Sequence, residues 1–133
     1  MIEFYGWIKI RESYDEKNDS DELLSDIYKK LNTRLSEIQH NNFFIELLFL
    51  NGEGRLIFTG ESNHKSQSWY DCLSLCEWVT KNAVGSYGVI YFFDDEDTEG
   101  YNNQFQVFSI KKGKLSLEAD KLLSPFFEEL ENR

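Results

Sequence analysis

The chain is poor in the residues that build metal and redox centres, with two histidines and two cysteines. Cys72 and Cys76 lie four apart in a helical pattern. That spacing fits neither a secreted disulfide framework nor the C-x2-C pairs of redox and zinc sites, so both are expected as small buried residues on one helix face. No apolar run approaches the roughly 18 residues that a membrane-spanning helix needs. The opening Met1-Ile2-Glu3-Phe4-Tyr5 lacks a basic segment followed by an apolar one. It reads as strand rather than export signal, and a cytoplasmic location without membrane attachment is expected. Cations are scarce as well. Fourteen Lys and Arg stand against twenty-four Asp and Glu, a net charge of −10, and a surface of that sign repels the phosphates of nucleic acid.

What is present is apolar and aromatic material in quantity. Hydrophobic residues make up 41% and aromatics 16%, too much for a disordered chain, and residues 1–133 are enough to bury one core as a single domain. The acids are clustered. Asp94-Asp95-Glu96-Asp97-Thr98-Glu99 puts five carboxylates in six positions directly after the apolar run Val89-Ile90-Tyr91-Phe92-Phe93. A strand ending in such a block suits a basic partner.

Two periodicities alternate along the chain. Ile2, Phe4, Gly6, Ile8 and Ile10 alternate with Glu3, Tyr5, Trp7, Lys9 and Arg11, which predicts a strand over residues 2–11. After an acidic loop, Asp19 and Glu22 can form a capping box. Leu24, Ile27, Tyr28, Leu31, Leu35 and Ile38 then keep helical spacing as far as His40. Asn51-Gly52 supplies the positive φ angles of a tight hairpin between strands at 43–50 and 55–59. Trp69, Cys72, Leu73, Cys76 and Val79 mark the buried stripe of a helix over 66–83. Trp78 and Leu75 lie off that stripe, so the helix is expected to be covered on more than one side. Strands at 87–93, 104–110 and 114–119 follow, and Pro125 can open a short terminal helix over 122–131. The order β-α-β-β-α-β-β-β predicts an α+β domain with a largely antiparallel sheet and two main helices.

The chemistry in this pattern is sparse. Asp95, Asp97, Glu99 and Gly100 occupy positions 1, 3, 5 and 6 of an EF-hand loop, but Gln106 falls where a bidentate Glu is required, and strands flank the loop instead of helices. The loop can be a solvated connection, a partner contact or a weak calcium or small-ligand site. His40 is expected to favour a helix C-terminus. His64, in Glu61-Ser62-Asn63-His64-Lys65-Ser66, lies in a loop with no nucleophile motif around it. Ser66 is expected as a helix N-cap. A Ser/His/Asp site assembled from distant positions is recognised only by geometry, so it stays open. Trp7 is either covered by a helix or exposed at a contact surface, and packing under a helix is the expectation.

Together these residues resemble a family. Met1-Ile2-Glu3-Phe4-Tyr5-Gly6-Trp7-Ile8, with Ile10-Arg11-Glu12-Ser13-Tyr14 after it, is similar to the opening of the bacterial polymorphic-toxin immunity proteins of immunity protein family 7. The resemblance continues through Asn51-Gly52, Asn63-His64 and Gly85-Ser86-Tyr87-Gly88. It is densest in Asp94-Asp95-Glu96-Asp97 with Asn103-Gln104-Phe105-Gln106-Val107, and closes with Lys112-Gly113-Lys114 and Leu123-Ser124-Pro125. Phe126 and Phe127 depart from the pattern, which has a small residue or cysteine after the proline.

The resemblance implies a non-enzymatic protein, without cofactor, that binds and blocks a cognate toxin domain. Many such domains are nucleases, whose basic surfaces an acidic inhibitor would be steered to. Asp94, Asp95, Glu96, Asp97 and Glu99 are the expected electrostatic contacts, with Asn63 and His64 as polar contacts and Trp7 and Tyr101 as aromatic anchors. The charge favours a monomer or weak dimer.

Overall fold

The computed structural model describes residues 1–38 and 41–125. Eight main elements follow one another: β1 (Ile2–Lys9), α1 (Asp21–Glu37), β2 (Phe43–Leu50), β3 (Glu53–Ser62), α2 (Gln67–Asn82), β4 (Tyr87–Asp94), β5 (Gln106–Lys111) and β6 (Lys114–Ala119). The expected order is therefore the observed one, with a single short 3-10 turn at Glu16–Asn18 added before α1. The strands form one six-stranded sheet in the order β2-β3-β1-β4-β5-β6, and every neighbouring pair is antiparallel. No helix among the described residues is long and apolar enough to cross a membrane.

β1 lies inside the sheet, between β3 and β4. Ile2, Phe4, Ile8 and, just beyond the strand, Ile10 are buried on one side, together with Leu56 and Phe58 of β3 and Ile90 and Phe92 of β4. Both helices pack on that side. Trp69 of α2 meets Phe4 edge-on at 5.3 Å and Phe92 at 4.9 Å, while Ile27 and Leu31 of α1 complete the cluster. Aromatic pairs of this kind add about 0.5–1.5 kcal/mol each beyond simple burial. Cys72 and Cys76 sit inside the cluster as free thiols. A hydrogen bond with Cys76, reinforced by burial, pushes the Cys72 thiol up and keeps it un-ionised.

The β2–β3 turn follows its chemistry, since Asn51 and Gly52 have φ of 53° and 76°, the left-handed pair that a tight hairpin demands. The second helix is covered as expected on more than one side: Leu75 is buried, and the Arg34 guanidinium of α1 lies 4.9 Å over the Trp78 ring.

Two local expectations are corrected and a third is met in part. The cap of α1 is Ser20, whose hydroxyl accepts the Leu23 N–H at 3.2 Å. Asp19 is instead tied back by its own N–H to the Glu16 carbonyl, so no Asp19–Glu22 capping box forms. Ser66 is the N-cap residue of α2, as expected, but its side chain makes no capping hydrogen bond; its hydroxyl is shared with Ser62 and Ser68. Trp7 lies under no helix and is 42% exposed, because both helices are committed to the other face. Strand limits also move: β1 ends at Lys9, β3 runs the longer span 53–62, β4 extends to Asp94 and β5 runs from Gln106 to Lys111. His40 and the greater part of the 122–131 helix, including Phe126 and Phe127, lie outside the described residues; residues 121–125 are not helical.

Candidate partner-binding surface at the acidic end of the sheet

Antiparallel register decides which loops meet. Ile2 stands opposite Ser62 on one side and Asp94 on the other. The acidic segment after β4, the chain start and the 62–66 connection therefore share one end of the sheet. Phe92 faces Gln106, and Gln106 faces Ala119, which brings residues 119–123 to that end too.

Each carboxylate of the segment has a different environment. Asp94 is buried, accepting the Glu96 N–H at 3.0 Å and facing the Lys65 ammonium at 3.4 Å. Asp94 is on the core-facing side of β4, and its charge is held by a turn amide and a lysine. Asp95 is exposed; its Oδ1 lies 2.5 Å from the Met1 ammonium, and its N–H donates to the Met1 carbonyl at 3.1 Å. The ammonium's hydrogen bond to the Asp95 carboxylate above all, with the surrounding carboxylates, raises the pKa of the amine above its usual 8.0, so it carries its charge at neutral pH. Glu96 Oε1 meets His64 Nδ1 at 2.5 Å. Asp97 accepts the N–H groups of Glu99 and Tyr101, each at 2.9 Å, and its own N–H bonds the Asp94 carbonyl. Glu99 is exposed.

Exposed ion pairs of this type are worth about 0–1 kcal/mol each. Their larger effect is positional. Turn amides and neighbouring cations hold the loop in one shape, so its outward charge is presented without an ordering cost on binding.

The sequence-derived residues fall into two groups. The acidic segment, His64, Asn63 and Tyr101 belong to the same end. His64 is joined to it directly through Glu96, Asn63 is exposed beside His64, and Tyr101 lines a hollow of about 740 Å³ with Glu118, Asp120 and Leu123. Trp7 does not join them. It projects from the helix-free face, five positions along β1 from Ile2, which is about 16 Å at strand rise.

The Ser62 hydroxyl donates to the His64 carbonyl at 2.6 Å rather than to its ring, so no serine–histidine nucleophile pair forms here. Among the described residues no group of three or more His, Cys, Asp or Glu is arranged to hold a metal ion, since the acids diverge toward separate partners.

Sequence reasoning missed Lys65, the Met1 amine and the Tyr91–Asp120 contact at 2.6 Å. None carries a local signal, because each partner is distant in sequence and is found only through the register.

The model of a family described as Immunity protein 7 matches residues 1–132. No curated protein and no solved structure matches the chain. The match spans nearly the whole sequence, and with it the strand order and the acidic end: the chain belongs to the immunity protein 7 family.

Proposed function

We propose that this chain neutralises a cognate bacterial toxin domain in the cytoplasm by forming a stoichiometric complex with it, as a monomer or weak dimer and without catalysis. The observation that carries the reading is the acidic end of the sheet. Asp95, Glu96 and Glu99 are exposed on a loop whose shape is held by Asp94, Asp97, Lys65 and His64. A pre-shaped anionic surface on a chain of net charge −10 attracts a cationic partner at long range and meets it at little ordering cost. Nuclease domains fit that description because they bind phosphates, and covering their cleft with carboxylates would exclude the substrate.

Two measurements test this. The product of the adjoining gene, purified separately, should bind the chain in a one-to-one complex by calorimetry and lose its toxic activity on binding. A neighbour that neither binds nor is inhibited would sink the proposal. Calcium titration of the free chain checks the competing use of the same loop, and the inhibitor reading expects no saturable heat.

A further inference from the structure

The helix-free face of the sheet is unlike an ordinary wet face. Outward positions of a half-covered antiparallel sheet are normally polar. Here the register sets Trp7 between Ile57 and Val89 and places Tyr5 beside Tyr91, which neighbours Val107. These six side chains form one continuous patch and floor a groove of about 1090 Å³. Tyr5 is 46% exposed, and the Trp7 ring is braced edge-on by Tyr87 at 6.1 Å. Exposed, braced Trp and Tyr are the side chains that dominate binding energy at protein interfaces.

The charge around the groove specifies what sits in it. Among the lining residues Glu118 and Asp120 outnumber a single cation, Lys111. At the end nearest the acidic loop, Glu3 and Glu61 stand directly opposite each other on neighbouring strands. Like charges in that relation repel, and among the described residues no Lys, Arg or His pairs with either. A second copy of the chain would bring the same charge of −10 against this rim. Residues 126–133 carry Glu128, Glu129 and Glu131 against Arg133 alone, again the wrong sign. The complementary occupant is a cationic protein surface.

We propose that the groove seats the toxin domain through an apolar segment flanked by Lys or Arg, one cation being received between Glu3 and Glu61; this rests on the toxin-binding reading above. The acidic loop then governs encounter, and the groove governs residence.

The experiment compares binding kinetics of the adjoining gene's toxin domain on the full chain and on three variants, with thermal midpoints measured alongside. Trp7→Ala should speed dissociation by about tenfold or more with little change in association. Ser116→Arg, on an exposed position of the groove wall in edge strand β6, should also speed dissociation while leaving the midpoint unchanged. The double variant Glu3→Gln/Glu61→Gln should melt higher than wild type yet bind more weakly, a pairing that a purely structural role would not produce. If wild type binds and all three variants bind like it, the groove is not the seat, and the toxin reading stands. Absence of binding by wild type overturns that reading and this one with it. A dimer in sedimentation that Trp7→Ala dissolves would assign the groove to a second copy. Faster labelling of a Ser116→Cys thiol after removal of residues 126–133 would assign it to the chain's own end; either result overturns the proposal.

Discussion

Phe4 and Tyr5 are adjacent in sequence and meet opposite worlds. Phe4 is wholly buried between Phe43 and Trp69, whereas Tyr5, on the other side of the same strand, stands nearly half exposed. The helix-covered face and the helix-free face share a backbone and one set of ladder hydrogen bonds. Both are rich in aromatic and β-branched residues. What separates them is the helices: α1 and α2 both cross the same side, so one apolar face becomes the core and the other remains available. Apolar content alone therefore does not say which face is structural.

The largest test of that contrast is a pair of truncations. Phe4→Ala should cost about 3–5 kcal/mol of stability in urea unfolding, by loss of transfer energy and creation of a cavity. Tyr5→Ala should cost about 1 kcal/mol or less. Equal losses would mean that the outer face is also packed in the native state. Gly6 offers a second probe from the same strand. A Cβ there would stand 2.3 Å from the Phe58 ring and 2.7 Å from the Val89 carbonyl oxygen, so Gly6→Ala should lose about 1–3 kcal/mol by overpacking.

The acidic segment divides in the same way, into the exposed Asp95, Glu96 and Glu99 and the pair Asp94 and Asp97, whose carboxylates accept turn amides. Neutralising only the exposed acids, as Asp95→Asn/Glu96→Gln/Glu99→Gln, should leave the thermal midpoint nearly unchanged. It should slow association with a basic toxin domain about tenfold at low salt and flatten the salt dependence. Association that is unaltered at low salt would reduce the loop to a solvated turn. Asp94→Asn should do the opposite, lowering stability by about 1 kcal/mol through a weaker bond to the Glu96 amide and loss of the Lys65 attraction. A larger stability loss from Glu99→Gln than from Asp94→Asn would reverse this assignment.

The smallest effect is a pH dependence where the groove meets the 119–123 segment. Burial, then the hydrogen bond to Asp120, pushes the Tyr91 hydroxyl well above its usual 10.0. The Tyr91 donor, helped by the Leu123 and Leu122 amides, holds Asp120 below its usual 3.8. The Tyr91 contribution is fully present below pH 10.0 and fades as pH climbs toward its raised folded value. The Asp120 contribution is present above pH 3.8 and fades as pH falls through its lowered folded value. Tyr91→Phe should remove the Tyr91 share of the alkaline dependence, leaving that of Cys72 and Tyr5, and shrink the acid one. Midpoints recorded across pH for both chains decide it, and identical profiles would mean that the contact contributes nothing.

Much of the architecture was legible from local chemistry. The 2-residue alternation of β1, the helical stripe through Trp69, Cys72, Cys76 and Val79, and the Asn51-Gly52 turn each follow from how a side chain relates to its own backbone. The cap of α1 was missed by one residue because Asp19 and Ser20 are both competent acceptors, and the preceding 3-10 turn chose between them. The acidic segment was visible as composition. The Lys65 partner of Asp94 was not, because only the register of β1 with β3 and β4 brings the two together.

The sequence by itself determined the elements, their order and the sign of the molecule's charge, since periodicity, turn geometry and ionisation are properties of neighbouring residues. Only the tertiary structure decided that both helices cover one face, that Glu3 opposes Glu61, and that His64, Lys65 and Met1 gather around the loop after β4. Those outcomes depend on strand order and register. Both are set by burying the largest apolar area across the whole sheet at once, and no local window of the chain contains that sum.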